Sequence, residues 1–215
     1  PDWIELYNAN PETLNISYWG LSDSKDELFK WILPDVTFTP GQFLVVFASD
    51  KDRRDWIAYW DTIFDWGDEW RYFPGFSEPP SDWNDIGFDD SSWSTGNSGF
   101  GYGDGDDQTD FDTLGLSPLY SVYIRNTFFI EDITDIASAI LHIDYDDSFV
   151  AYINGEEIAR ANIGQPGVRP AYNQGADNYD HEAQMYQGGS PEEFLFSHWY
   201  EYFNEGENVL AIQVH

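Results

Sequence analysis

Residues 139–160, AILHIDYDDSFVAYINGEEIAR, contain the pattern that decides the fold of this chain. Side chains in residues 140–145 and 149–153 alternate with the two-residue period of a β-strand. An acidic turn separates these runs, and Asn154 and Gly155 then supply the two positive-φ residues of a type I′ hairpin turn. The stretch therefore predicts strand, acidic turn, strand, tight turn and strand, as in an all-β sandwich or barrel.

The same kind of pattern covers most of the chain and indicates two domains. Short strand-like runs punctuated by Gly, Pro and Asn predict β-domains over residues 1–55 and 68–215. Residues 56–67 are predicted to be a linker, which could be an amphipathic helical turn or an extended segment. Residues 192–203 are the best candidate for a helix. Because the chain begins with proline and stops on a strand-like run, we expect it to be a fragment of a longer protein, cut or processed at its N-terminus.

The charge of the chain excludes several kinds of partner. There are 40 acidic and 9 basic side chains, a formal net charge of −31. Nucleic acids and anionic membrane surfaces are bound through Lys and Arg, so neither is expected as a partner. No apolar run approaches the ~20 residues of a membrane span, so no membrane insertion is expected. The surplus of carboxylates has two interpretations that the sequence leaves open, Ca²⁺ binding and adaptation to a salty medium.

The first quarter of the chain resembles the bacterial lamin-tail domain, which is an immunoglobulin-like sandwich. The blocks that carry the resemblance occur in the family's order at residues 3–8 (WIELYN), 19–23 (WGLSD), 30–31 (KW), 40–41 (PG) and 44–49 (LVVFAS). The strand that usually precedes the first block is missing, and the usual closing strands after residue 49 are not recognisable. The resemblance therefore implies a partial lamin-tail sandwich.

Residues 66–215 resemble the galactose-binding-like jelly roll of secreted bacterial enzymes, and are similar to the sugar-binding domain of family 2 glycoside hydrolases. The matching blocks are at residues 68–72 (DEWRY), 88–93 (FDDSSW), 99–106 (GFGYGDGD), 123–128 (YIRNTF), 145–155 (YDDSFVAYING) and 206–211 (GENVLA). The tandem pair resembles the N-terminal part of bacterial CotH-type surface proteins. The resemblance implies an exported, extracellular or cell-surface location, often reached by a type IX route.

Two groups of aspartates are candidate Ca²⁺ ligands. The loop at residues 103–112, GDGDDQTDFD, places five carboxylates within ten residues, although without the spacing of an EF-hand. Its candidate ligands are Asp104, Asp106, Asp107, Asp110 and Asp112, and a solvated acidic loop is the alternative. The second group is Asp144, Asp146 and Asp147. For the last two, hydrogen bonds that shape the turn are the favoured alternative.

Three aromatic side chains are candidates for a sugar-stacking surface. Trp70, Trp83 and Tyr102 lie in the second predicted domain, and aromatic rings pack well against the apolar faces of pyranoses. Core packing is the favoured alternative for any one of them, because a chain that is 19% aromatic must bury most of its rings.

Catalytic signatures are missing from the sequence. There is no Cys, and neither G-x-S-x-G nor a P-loop occurs. Glu156 and Glu157 are adjacent on a predicted strand and point to opposite faces, so they cannot act as a glycosidase pair. We therefore predict a non-catalytic, Ca²⁺-stabilised module pair that binds carbohydrate or another surface protein. The alternative is a structural subunit of an adhesion, filament or surface layer, which forms homo-oligomers through exposed sheet edges.

Overall fold

A computed structural model describes residues 2–25, 27–48, 60–103, 105, 107–136, 138–196 and 199–215. The chain divides into two compact units, Pro1–Ala58 and Tyr59–His215. Among the described residues, regular structure consists of β-strands and three single-turn 3₁₀ helices, so the predicted all-β fold is confirmed. In the described ranges, no helix is both long enough and apolar enough to cross a membrane.

The first unit is a set of nested antiparallel strand pairs. Its strands are β1 (Asp2–Tyr7), β2 (Leu14–Asn15), β3 (Gly20–Leu21), β4 (Trp31–Ile32), β5 (Thr37–Phe38) and β6 (Phe43–Ala48). β1 pairs with β6, β2 with β5 and β3 with β4. A small apolar core is formed by Ile16, Leu33, Val36 and Phe38. Assembly through sheet edges stays a prediction.

The second unit is built on a six-stranded antiparallel sheet in the order β14-β13-β16-β11-β7-β8. Two strand pairs accompany it, antiparallel β12-β15 and parallel β9-β10. The strands are β7 (Glu69–Pro74), β8 (Ser94–Asn97), β9 (Phe100–Gly101), β10 (Thr109–Asp110), β11 (Val122–Ile130), β12 (Ala139–Ile143), β13 (Phe149–Ile153), β14 (Glu156–Ala161), β15 (Glu192–Phe196) and β16 (Gly206–Val214). The 3₁₀ helices are Ile133–Asp135, Met185–Gln187 and Trp199–Glu201.

Both faces of the large sheet are covered, and the alternation of β13 explains how. Phe149 and Ile153 belong to one buried cluster, whereas Val150 and Tyr152 belong to the cluster on the opposite face. All five residues of β13 are buried. The strand therefore lies in the middle of a sandwich, with a core on each side.

The predicted Asn-Gly hairpin is present between β13 and β14. Asn154 has φ 51° and Gly155 has φ 93°, as a type I′ turn requires. The Asn154 side chain also accepts a hydrogen bond from the Val209 backbone N–H (2.9 Å) and donates one to Asn208 Oδ1 (2.8 Å). The turn is thus tied to β16, the neighbouring strand.

The helix predicted over residues 192–203 is wrong. Residues 192–196 form β15, which pairs in register with β12, and among the described residues of this segment only Trp199–Glu201 make a helical turn. Phe194 of β15 packs edge-on against Phe149, with ring centroids 5.1 Å apart. A contact between distant parts of the chain therefore overrides the local preference of this segment.

Candidate functional site

The three predicted stacking residues do not share a surface. Trp83 has no exposed surface and packs against Tyr123 and Tyr152 at ring distances of 4.9 and 5.8 Å. Trp70 is buried in the core on the opposite face of the sheet, 4.7 Å from the Phe64 ring. Only Tyr102 is exposed, by 50%. Trp70 and Trp83 are therefore core residues, which is the alternative that the sequence favoured.

The aspartate loop is anchored at its two ends by the partly buried ring of Phe100 and the buried ring of Phe111. Phe100 and Phe111 stack at 6.1 Å and pack into the main core of the second unit. Strands β9 and β10, at the start and the end of the loop, pair in parallel. The two ends of the loop therefore lie next to each other. Gly103 and Gly105 have φ values of 106° and 83°, which suit glycine and let the loop fold back tightly.

The predicted ligands in this loop have different surroundings. Asp104 and Asp106 lie outside the described residues. The two carboxylate oxygens of Asp107 each lie 2.6 Å from the position that a Cβ on Gly101 would occupy, so this carboxylate rests directly on the glycine. Asp112 is exposed to solvent.

Asp110 acts as the cap of a turn. Its carboxylate accepts hydrogen bonds from the backbone N–H groups of Asp112 (2.9 Å) and Thr113 (3.3 Å) and from the Thr113 hydroxyl (2.6 Å). The bonds from Thr113 lower the pKa of Asp110. These bonds hold the chain where it returns to the core after β10.

The second aspartate group connects separate segments. Asp144 accepts hydrogen bonds from the backbone N–H groups of Gln184 (2.9 Å) and Met185 (2.8 Å). It therefore caps the 3₁₀ helix that begins at Met185. The Asp147 backbone N–H donates to the His215 carbonyl at 2.8 Å. The acidic turn therefore joins β12, the long loop before β15 and the end of β16. Across the described ranges, no three His, Asp or Glu side chains are grouped so that they could hold a metal ion.

Asp146 is the exception among these carboxyls, because its protonation is favoured. The residue keeps exposed surface, yet partial desolvation, and then the carboxylates of Asp147 and Glu182, raise its pKa to about 6. His181, which stacks on Tyr145 with 4.1 Å between the ring centroids, acts in the opposite direction. The charged form of Asp146 is therefore destabilised at neutral pH.

This arrangement predicts a pH effect on stability. A folded-state pKa of about 6, above the ordinary 3.8, means that the folded state binds the proton more tightly, so stability rises as pH falls from about 7 towards 4. Solvent screening limits the gain to about 1 kcal/mol. Asp146→Asn should raise the thermal midpoint at pH 7 and flatten its change between pH 7 and 5. The exposed Asp61→Asn variant is the control, and an equal change in both variants would contradict the prediction.

The sequence analysis missed one aromatic residue beside the aspartate loop. Trp66 is 62% exposed, and its Nε1 lies 3.5 Å from the position of a Cβ on Gly99. The turn that carries it is fixed, because the Gly67 N–H donates to Ser98 Oγ at 2.8 Å and Asn97 Nδ2 donates to the Gly67 carbonyl at 2.6 Å. Nothing local in the sequence marks this tryptophan as exposed, because the buried Trp83 also has polar neighbours.

These residues together form the candidate site. Gly99 and Gly101 make a floor without side chains, the Trp66 indole stands beside the first glycine, and the Asp107 carboxylate lies on the second. Tyr102 follows directly along the chain. An exposed ring next to a carboxylate offers an apolar stacking face and hydrogen-bond acceptors in one place.

Comparisons with known proteins give only weak similarities. No protein-family profile matches the chain, and no curated protein matches it. A β-glycosidase from Bacteroides vulgatus is 16% identical with a TM-score of 0.38, over 68% of this chain and 16% of that one. A calcium-binding mutant of β-glucuronidase 2 from Bacteroides uniformis is 16% identical with a TM-score of 0.40, over 68% of this chain and 14% of that one. The chain thus spans a small part of those structures, and the likeness assigns no residue, ligand or activity to it.

Proposed function

We propose that this chain is a non-catalytic, extracellular binding module whose second unit binds carbohydrate at Trp66, Tyr102 and Asp107. The observation that carries the proposal is the position of Trp66, which is largely exposed yet held by a hydrogen-bonded turn beside a carboxylate. An exposed ring that is held in a fixed place presents an apolar face on which a ligand can stack.

The chemistry of the site fits a sugar ring. The apolar face of a pyranose packs on an indole, and its hydroxyls donate to a carboxylate such as that of Asp107. The absence of side chains on Gly99 and Gly101 lets the Trp66 indole and the Asp107 carboxylate lie close against the backbone and therefore close to each other. The formal charge of −31 disfavours polyanionic ligands, which supports a glycan of low charge.

Calcium belongs to the same proposal. Five aspartates within residues 103–112 repel one another, and a cation in the loop would relieve this repulsion. Among the described residues, Asp107 is a predicted ligand that lies on the glycine floor, so the ion would also fix the carboxylate that receives the sugar. The resemblances to lamin-tail and CotH-type surface proteins support an extracellular setting, where Ca²⁺ is plentiful.

Glycan-array screening followed by calorimetry tests the proposal. We expect Trp66→Ala to weaken binding at least tenfold, because truncating a central tryptophan commonly costs about 2 kcal/mol or more. Trp60→Ala, which removes another exposed tryptophan of the second unit (57% exposed), is the matched control and should bind normally. Gly101→Ala should also weaken binding, since its Cβ would displace the Asp107 carboxylate.

The same measurements with added Ca²⁺ and with EDTA test the cation. We expect EDTA to lower both the affinity and the thermal midpoint. If no glycan binds in the presence of Ca²⁺, or if Trp66→Ala binds as tightly as the unaltered chain, the carbohydrate proposal fails. If EDTA changes neither quantity, the calcium part fails.

A further inference from the structure

We infer a second binding site in this unit, a polar cleft that takes a small hydroxylated carboxylate, such as a hexuronic acid, with its carboxylate on Arg71. The cleft shares no residue with the Trp66 site and does not depend on it. It has a volume of about 190 Å³ and is lined by Glu69, Trp70, Arg71, Asp90, Thr95, Arg125, Asn126 and Thr127. At ~30 Å³ for each water, this volume corresponds to roughly six waters, which is room for a group of about monosaccharide size.

The cleft lies on three adjacent strands of the large sheet. Thr95 of β8 is opposite Arg71 of β7, and Arg71 is opposite Arg125 of β11. Cross-strand partners present their side chains on the same face, so two guanidinium groups stand side by side. Like charges in such a position are unfavourable, and a chain with only 9 basic residues places two of them here.

Arg125 is buried and is bonded to the protein through both of its terminal nitrogens. Its side chain is 1% exposed, and its Nε lies 3.2 Å from Asp90 Oδ2. Its two terminal nitrogens donate to the carbonyls of Phe88 (3.1 Å) and Asp85 (3.2 Å). Arg125 therefore anchors the segment that covers this face of the sheet, and it has little capacity left for a ligand.

Arg71 is more exposed than Arg125 and lies farther from Asp90. Its side chain is 40% exposed, its Nε lies 3.8 Å from Asp90 Oδ1, and its NH1 reaches the Trp93 carbonyl only at 3.4 Å. Asp90 is closer to Arg125, so it compensates the charge of Arg71 incompletely. Arg71 lines the cleft, and its guanidinium can bind a carboxylate in the two-pronged manner that arginine favours.

The remaining lining groups select a hydroxylated acid over a plain anion. Glu69 and Arg71 form no ion pair with each other in the described part of the chain, so the cleft offers an acceptor and a donor separately. The hydroxyls of a sugar acid can donate to Glu69 and pair with Thr95 and Thr127. A sulfate has no hydroxyl to donate to the Glu69 carboxylate, and a phosphate sets more negative charge against it than a sugar acid does, so we favour the carboxylate of a sugar.

Calorimetry with matched sugars tests the inference on the whole chain. Glucuronate and galacturonate are compared with glucose and galactose, and we expect both acids to bind at least tenfold more tightly to the cleft than their neutral partners. Arg71→Gln should weaken acid binding at least tenfold, and Arg71→Lys should weaken it less because the charge remains. Lys30→Gln, which removes an exposed cation from the first unit, should bind as the unaltered chain does. Circular dichroism shows that the variants are folded.

Several outcomes would overturn the inference. It fails if neither acid binds, if Arg71→Gln binds acids unchanged, or if neutral sugars bind this cleft equally well. It also fails if Trp66→Ala, rather than Arg71→Gln, abolishes acid binding, because the acid would then occupy the proposed glycan site. That last result leaves the proposed function intact, whereas loss of neutral glycan binding alone leaves the cleft intact.

Discussion

Replacing Trp83 by alanine is expected to lower the free energy of unfolding of the second unit by about 3–5 kcal/mol. Trp83 has no exposed surface and lies at the centre of a cluster with Trp93, Tyr123 and Tyr152. Its removal leaves a cavity between rings that also pack on the sheet, so the site cannot collapse easily. In a unit of this size the thermal midpoint should fall by roughly 10 °C.

Urea denaturation, monitored by near-ultraviolet circular dichroism, measures the loss in free energy of unfolding. Two further variants show what causes it. Trp83→Phe should cost much less than Trp83→Ala, because a ring is kept and the buried Trp83 Nε1 has no hydrogen-bond partner to lose. Trp66→Ala should change the free energy of unfolding by less than about 0.5 kcal/mol, since this ring is largely exposed. Equal losses in Trp83→Ala and Trp66→Ala would contradict the assignment of one ring to the core and the other to the surface.

The contrast between these two tryptophans shows what the sequence could predict about the site. The two residues are of the same type, so hydrophobicity alone does not distinguish them. The sequence analysis selected Trp83 as a stacking candidate and placed Trp66 in the linker. Trp83 is followed by Asn84 and Asp85, polar neighbours much like those of Trp66, yet it is buried. Exposure is decided by whether other segments cover the ring, and this depends on contacts between distant residues.

The strands were easier to predict than their partners. Alternation predicted β13, and Asn154-Gly155 predicted its hairpin, because both signals are local. The pairing of β12 with β15 spans about fifty residues, and nothing local indicates it. The acidic turn after β12 therefore connects two different sheets. The sequence alone predicted only a strand, a turn and a second strand.

Burial on the second face was also beyond the sequence analysis. In β16, Leu210, Ile212 and Val214 form the expected apolar face, but Ala211 and Gln213 have no exposed surface either. Gln213 is accommodated because its Nε2 donates to the Tyr123 hydroxyl at 3.2 Å and to the Pro170 carbonyl at 3.1 Å. A polar residue on a strand indicates solvent on average, and only the partners of its amide show that this one is in the core.

Arg125→Ala is expected to destabilise the second unit by about 3–5 kcal/mol, as is usual when one partner of a buried ion pair is removed. The change leaves the carbonyls of Phe88 and Asp85 without their donors and Asp90 without its nearest cation. It also removes the guanidinium that lies 5.1 Å from the Phe88 ring centroid. Chemical denaturation of Arg125→Ala, Arg125→Met and Asp90→Asn measures the separate parts.

The loss of stability in each variant is expected to depend on which polar groups the substitution leaves unpaired. Arg125→Met fills most of the volume and should cost less than Arg125→Ala, whereas Asp90→Asn should cost least because Asp90 is partly exposed. In Arg125→Ala, Asp90 is free to pair fully with Arg71, since these groups are already 3.8 Å apart. Arg71 would then be occupied, so this variant should lose sugar-acid binding even where it remains folded. If Arg125→Ala keeps full stability, the buried arginine does not anchor the covering segment, and the separation of roles between Arg125 and Arg71 is wrong.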